Sequence, residues 1–347
     1  MKTRKRLALA ALFVLVSCVV VAILILPPRD RVFKGQPETY WIDHLVYRDE
    51  AQVKQWADFG PEGVQVLIRA LERANHPGSN LYRKAYQGTG RVLPWALMRF
   101  LPAPQMDLTR ATRMTVADLL SRLAPNAKQA MSVMTWKLND PDPSVRQIAI
   151  TFFTYGEDKN AFLNQMEPGA KRKLLPSFIR LIQDKNAGVR NNAAIALGYF
   201  SEEAQTVAPV LTKALSDPMP AVRLLAAKSL NKVAPDKIVD SGVIPILITI
   251  LKNPDDQIAY RAAELLGEFK KEPSLAVPAL IESVQGTNRL VATDAASALG
   301  NFPDQADAIV PVLLQVYQST NKLVSRWASG ASLKKLDPIA AAKAGVK

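Results

Sequence analysis

The chain has one cysteine, Cys18, and two histidines, His44 and His76, in 347 residues. Cys18 lies inside an apolar run, so the rest of the chain can form neither a disulfide nor a cysteine metal site. The histidines stand without an H-E-x-x-H spacing, which leaves a histidine metal centre without a basis. His44, in TYWIDHL, reads as a capping or surface residue beside a packed Trp41, and His76, in ANHPGSN, as a turn residue. QGTG, residues 87–90, matches neither the phosphate-cradling loop nor the dinucleotide fingerprint. The nucleophile elbow G-x-S-x-G and the haem attachment C-x-x-C-H are absent. Carboxylate neighbours such as Glu202-Glu203 and Asp255-Asp256 fall between apolar runs, where solvated charge is ordinary. No nucleophile, base and oxyanion donor can be assembled. The expectation is a chain without catalytic residues, metal or cofactor.

What the sequence does have is repetition. NAGVRNNAAIALG (186–198) recurs as PAVRLLAAKSLNKV (220–233), DDQIAYRAAELLGEF (255–269), NRLVATDAASALGNF (288–302) and KLVSRWASGASL (322–333), and upstream as DPSVRQIAITFF (142–153). The aligned residues Val145, Val189, Val222, Ile258, Val291 and Val324 lie 44, 33, 36, 33 and 33 apart by subtraction. Pro176, Pro209, Pro245, Pro278 and Pro311 each stand 13 residues before an aligned Val or Ile, and each leads an apolar run. The unit reads as two helices, because apolar residues recur at helical spacing on both sides of a turn. Each Pro is expected in the first turn of the first helix, where its missing N–H had no partner anyway. The second helix buries its Val, its Ala pair and its Leu. Gly198, Gly267 and Gly300 are expected as left-handed caps at its end. A single pair cannot bury its apolar face, so the pairs must stack.

These residues carry a resemblance. Pro-x-Leu…Asp-Pro-x-x-x-Val-Arg-x-x-Ala-Ala-x-x-Leu-Gly resembles HEAT repeats of the bacterial HEAT-like type. The likeness is clear from about residue 126 to 335. Weaker copies extend it through PEGVQVLIRALE (61–72), LYRKAYQGTG (81–90) and RMTVADLLSRL (113–123), and FKGQPETYWIDHL (33–45) resembles the leading segment of exported bacterial HEAT-repeat proteins. The resemblance implies an all-α fold: a right-handed α-solenoid of stacked HEAT-like helix pairs over residues 39–340, with a tail at 341–347.

Asp140, Asp184 and Asp217 each precede an arginine by six residues: Arg146, Arg190 and Arg223. In the other repeats the same positions hold Asn253 with Ala259, Gly286 with Ala292, and Ser319 with Ser325, so both charges vanish together. A ladder partner is useless alone, since an unpaired half-buried arginine costs free energy. A structural ladder between repeats, as HEAT families use, is therefore expected rather than a ligand stripe.

Residues 7–26, LALAALFVLVSCVVVAILIL, are apolar or small without a charge, long enough to span a bilayer. Lys2, Arg4, Lys5 and Arg6 precede them, and Pro27-Pro28 ends them. The basic cluster predicts residues 1–6 as a cytoplasmic tail, 7–26 as an uncleaved transmembrane signal anchor and 27–38 as a linker. The chain is then a single-pass protein of the bacterial inner membrane with its solenoid in the periplasm. A cleaved signal peptide ending near Val20-Val21-Ala22 and a lipoprotein acylated at Cys18 are the alternatives.

The formal net charge is +13, of which residues 1–34 account for +6 and the remainder for +7. The longest basic run, Lys171-Arg172-Lys173, lies in the insert 156–173 that lengthens one interval to 44, and reads as a long loop. The surplus charge favours anionic headgroups or an acidic partner. In HEAT-like solenoids the second helices line the concave, ligand-binding side. On this chain that resemblance points to Asn191, Asn192, Lys228, Tyr260, Arg261, Asp294, Arg326 and Trp327 as a partner-binding face, since they lie off the buried stripe. Tyr, Arg and Trp are the residue types of binding hot spots. The expected function is a non-enzymatic scaffold for a protein partner in the cell envelope. The rivals are a nucleic-acid-binding or DNA-glycosylase-like HEAT protein and a bilin-lyase-like enzyme. A membrane segment opposes both, because their substrates are cytoplasmic.

Overall fold

The computed structural model describes residues 30–73, 110–123, 128–154, 161–319 and 326–346. The chain divides into two compact units, Met1–Gln165 and Met166–Lys347.

The first unit opens with a hairpin, β1 (Val32–Phe33) and β2 (Gln36–Pro37), paired antiparallel with Phe33 opposite Gln36. Its two loop residues, Lys34 and Gly35, both have positive φ, the backbone that matches a two-residue hairpin to the twist of its strands. Helices follow: α1 (Glu38–Asp43), α2 (Glu50–Asp58), α3 (Gly60–Arg73), α4 (Arg110–Arg122), α5 (Met131–Lys137), α6 (Pro143–Thr154) and the single turn α7 (Phe162–Gln165). The FKGQPETYWIDHL segment packs this end together. Phe33 packs edge-on against Trp41 and Phe59 and stacks on Trp56, and the Trp41 indole donates to the Phe33 carbonyl at 2.8 Å. Glu38, almost wholly buried, accepts Arg69 of α3 at 2.6 and 3.0 Å, so its charge is compensated where water is excluded. His44 caps the C-terminus of α1 and its Nδ1 lies 2.7 Å from the Tyr40 carbonyl.

The second unit is a stack of helix pairs: α8 (Pro168–Leu181) with α9 (Ala187–Leu197), α10 (Ala204–Ala214) with α11 (Pro220–Val233), α12 (Val243–Leu251) with α13 (Asp256–Phe269), α14 (Pro273–Gln285) with α15 (Arg289–Leu299), and α16 (Ala306–Gln318) with α17 (Arg326–Leu336). A last helix, α18 (Pro338–Lys343), closes on α17. Each second helix packs on its own first helix, and successive second helices from α9 to α17 pack on one another, which makes two layers. The repeated residues explain this. The pairs Ala193-Ala194, Ala226-Ala227, Ala262-Ala263 and Ala295-Ala296 are buried, as are Leu197, Leu230, Leu266 and Leu299. Alanine keeps neighbouring second helices close, and leucine fills the space between layers. Asn186, Asp255 and Asn288 fix the starts of their helices by accepting backbone amides.

Several expectations change. Of the five repeat prolines only Pro245 lies in the first turn of its helix, as expected. Pro176, Pro209, Pro278 and Pro311 lie inside theirs, which begin earlier, and Pro245 is the third residue of α12. All five are exposed, so the four inside their helices interrupt the hydrogen-bond ladder on the water-facing side. The glycines are not left-handed caps either: Gly198 and Gly300 have φ of −64° and −63°, and Gly267 is inside α13. A Cβ at Gly267 would lie 2.7 Å from Ala298 Cα, and one at Gly300 2.5 Å from Ser332 Oγ. Glycine is there because the next second helix comes too close for a side chain. Lys171-Arg172-Lys173 belongs to the first turns of α8 rather than to a loop, and Lys171 is buried over the Phe200 ring. Ile258 is half-buried, and Ala259 takes the inward position.

The inner-membrane placement is corrected as well. Among the described residues no helix is long and apolar enough to cross a membrane. The longest have 14 residues, about 21 Å of helix against a hydrocarbon core of about 30 Å, and the most apolar, VIPILITIL, has nine. The described helices therefore do not support a single-pass membrane protein with a periplasmic solenoid. Residues 1–6, the segment 7–26 with Cys18, His76 and QGTG all lie outside the described residues.

Candidate interaction surface

Two arrangements involve the residues singled out in the sequence. The first is the Asp–Arg series. Each aspartate folds its own turn: the carboxylates of Asp140, Asp184 and Asp217 accept the amides of Asp142, Asn186 and Met219, two residues on. Each arginine then reaches back to the same turn. Nη1 of Arg146, Arg190 and Arg223 donates to the carbonyls of Asp140, Asp184 and Asp217 at 2.7, 2.9 and 2.8 Å. Asn253, where the arginine is lost, still accepts the amide of Asp255. Between repeats, Arg190 grips Asp217 with Nε and Nη2 at 2.6 and 2.9 Å, a two-pronged pair that is mostly buried. Burial would push the Asp217 carboxyl up, but the Arg190 hydrogen bonds, the Met219 amide and the nearby arginines hold it below its ordinary 3.8.

That direction has a consequence. A depressed carboxylate pKa contributes stability that is complete above the unfolded value and lost as pH falls through the folded one. Asp217→Asn is expected to lower stability by about 2 kcal/mol near neutrality, the scale of hydrogen bonds to charged groups. The difference from the parent chain should close below pH 3.8. Thermal melts at pH 7, 4 and 2.5 check it.

The second arrangement is the outward side of the second helices. Counting six residues on from the N-caps Asn186, Met219, Asp255 and Asn288 gives Asn192, Leu225, Arg261 and Asp294, one column on α9, α11, α13 and α15. Asn191 lies beside it, half-buried, with its Oδ1 lacking a hydrogen-bond partner. Lys228 is half-buried on α11. Arg261 is exposed, donates to the Tyr260 hydroxyl at 3.2 Å and holds its guanidinium 5.8 Å from that ring, so the pair is braced as a flat amphipathic plate. The Asp294 carboxyl is raised, first by burial and then by the charge of Glu264 on the neighbouring α13. Arg326 and Trp327 begin α17, and Trp327 is 79% exposed, more than any other large hydrophobic residue of the described chain. Leu225 and Glu264 were not singled out in the sequence. Leu225 reads as one more core leucine, and Glu264 gains meaning only from the neighbouring helix. Among the described residues no group of His, Cys, Asp and Glu could hold a metal ion.

The comparisons agree with this architecture. An engineered protein of known structure matches 94% of this chain over 92% of its own length, at 18% identity and a TM-score of 0.50. The karyopherin Kap121p, solved bound to the SUMO protease Ulp1p, matches 80% of this chain with 28% of its own, at 15% identity and a TM-score of 0.52. A designed armadillo repeat protein matches 60% of this chain with all of its own, at 18% identity and a TM-score of 0.44. No curated protein matches the sequence. The family model for HEAT repeats matches residues 175–247 and 244–334. HEAT repeats are thus found over residues 175–334, within the second unit.

Proposed function

We propose that this chain is a non-catalytic scaffold whose second-helix layer receives a protein partner. The observation that carries the reading is the column Asn192, Leu225, Arg261 and Asp294, continued beside the exposed Trp327. These side chains are held by packed helices and lie off the buried stripe. A Trp left 79% in water is an anchor awaiting a pocket, because burying it on a partner returns free energy that folding did not use. The raised Asp294 beside Glu264 supports the same surface: repulsion that does not serve folding is retained where recognition uses it. The mixed charge of Arg261, Asp294 and Glu264 suits a protein better than a nucleic acid, which asks for a continuous basic groove. The karyopherin neighbour was itself solved with a protein bound, which is in keeping with a protein as the occupant.

The test is photo-cross-linking in the cells that make the protein. A photoreactive residue at 192, 261 or 294 should give a discrete protein adduct, and one at the exposed positions Val239 or Leu275 should not. Trp327→Ala should cut the adduct at 261 by about 30-fold, the equivalent of about 2 kcal/mol for a buried aromatic anchor. Equal adducts at all five positions, or adducts indifferent to Trp327, overturn the reading.

A further inference from the structure

The first-helix layer carries a different feature. Helices α12 and α14 pack on each other, as do α14 and α16, whereas α8 and α10, like α10 and α12, approach each other less closely. Two open clefts of about 680 and 490 Å³ run end to end in the valley between α8 and α10 and share Gln183. The α8 side presents residues 172, 175, 176, 179, 180 and 183, and the α10 side residues 206, 209, 210, 213 and 214. Both sets follow helical spacing, so each is a single stripe facing the valley. From Arg172 to Gln183 the valley is about 16 Å long, the span of about five extended residues.

The lining has a plain division of chemistry. Leu175, Ile179, Ile182 and Val210 make an aliphatic floor; of the charged lining residues Arg190 is paired with Asp217 and Arg172 with Glu203, and Arg180 and Lys213 stand beside them. Helices α8 and α10 together carry five Lys or Arg and no Asp or Glu. The later first helices reverse this: α14 holds Glu282 and α16 holds Asp307, with no cation on either. The positive charge of the first helices is thus concentrated on α8 and α10. Pro176 and Pro209 line the same clefts. Neither proline can supply an N–H to the helical ladder, so both leave the valley side of their helices without that donor.

We propose that the valley between α8 and α10 is a second docking groove, taking an extended protein segment that alternates acidic and apolar side chains. Such a segment places one row of side chains on the aliphatic floor and turns the other toward the rim, as strand periodicity dictates. A single-stranded nucleic acid would also meet the cations, but the lining contains no aromatic ring on which a base could stack. The groove is independent of the second-helix surface.

Fluorescence anisotropy with the full chain decides it. The probes are labelled octapeptides alternating Asp with Leu or Asp with Ser, which carry equal charge, and an eight-nucleotide thymidine strand. The Asp–Leu peptide should bind at least tenfold more tightly than the other two. Ile179→Glu and, separately, Lys213→Glu should each weaken it at least tenfold, with unchanged circular dichroism melts. Leu275→Glu and Arg261→Glu should leave it unaltered, so a failure here is separate from a failure of the second-helix reading. Equal binding of the three probes, tighter binding of the thymidine strand, or indifference to both groove substitutions overturns the proposal.

Discussion

Gly267→Val is expected to destabilise the second unit by about 3 kcal/mol, at the upper end of the usual cost of overpacking a filled interior. Gly267 sits in the last turns of α13 with ordinary helical geometry, so valine meets no backbone strain there. Helix propensity even favours replacing glycine, by several tenths of a kcal/mol for valine. The cost comes from the neighbour. A first side-chain carbon would lie 2.7 Å from both Cα and Cβ of Ala298 on α15, and backbone cannot swing aside as a flexible side chain can. Relief requires α13 and α15 to separate, which opens the Ala262-Ala263 and Ala295-Ala296 contacts along the same line. It also disturbs the hydrogen bond from Asn301 Nδ2 to the Gly267 carbonyl, 3.1 Å long. Urea unfolding should show the loss, and amide exchange should place it in α13 and α15. Ala298→Gly in the same chain should recover part of it. Gly169→Val, at a site where a Cβ meets nothing within 4 Å, should cost less than about 1 kcal/mol. Equal effects at 169 and 267 would show that the close approach is not what fixes the glycine.

That glycine also marks how far the sequence could be read. Val189, Val222 and Val291, with the alanine pairs and leucines behind them, announced the stacked pairs, because burial against identical neighbours forces identical spacing. The same spacing could not distinguish a glycine needed for positive φ from one needed for a near neighbour, since both recur once per repeat. Four of the repeat prolines misled for a related reason. Periodicity marks a residue's place in the repeat, but the helix start depends on where the preceding 3₁₀ turns at Ser201–Glu203 and Pro303–Gln305 hand over to α10 and α16. On the candidate surface, Arg261, Asp294 and Trp327 were visible as residues off the buried stripe. Leu225 and Glu264 were not, because one looks like core and the other acts through the adjacent helix.

Asp140→Ala is the second large effect, expected at about 4 kcal/mol, within the range for breaking a buried ion pair by removing one member. The sequence linked Asp140 to Arg146, and Arg146 does reach its carbonyl, yet the carboxylate faces Lys137. Lys137 Nζ lies 3.3 Å from Asp140 Oδ2, and both side chains have no exposed surface. Burial lowers the Lys137 pKa, while the charge and hydrogen bond of Asp140 oppose that fall. The other Asp140 oxygen accepts the Asp142 amide at 2.9 Å and so shapes the turn between α5 and α6. Alanine therefore leaves a buried ammonium beside the Trp136 ring and an unmet amide. Asp140→Asn, which can still accept that amide, should cost less. Lys137→Met with Asp140→Asn should cost less again, because no charge is then left alone in the interior. The pH dependence has a definite sign. A lysine whose folded pKa lies below its unfolded 10.5 weighs on stability while protonated, and the burden lifts as pH rises through the folded value. Without Asp140 the folded pKa falls further, so the deficit of Asp140→Ala should shrink between pH 7 and pH 10. Amide exchange in α5 and α6 at the two pH values, corrected for intrinsic rates, measures it. A deficit that stays constant would mean that the loss comes from the turn and not from the stranded charge.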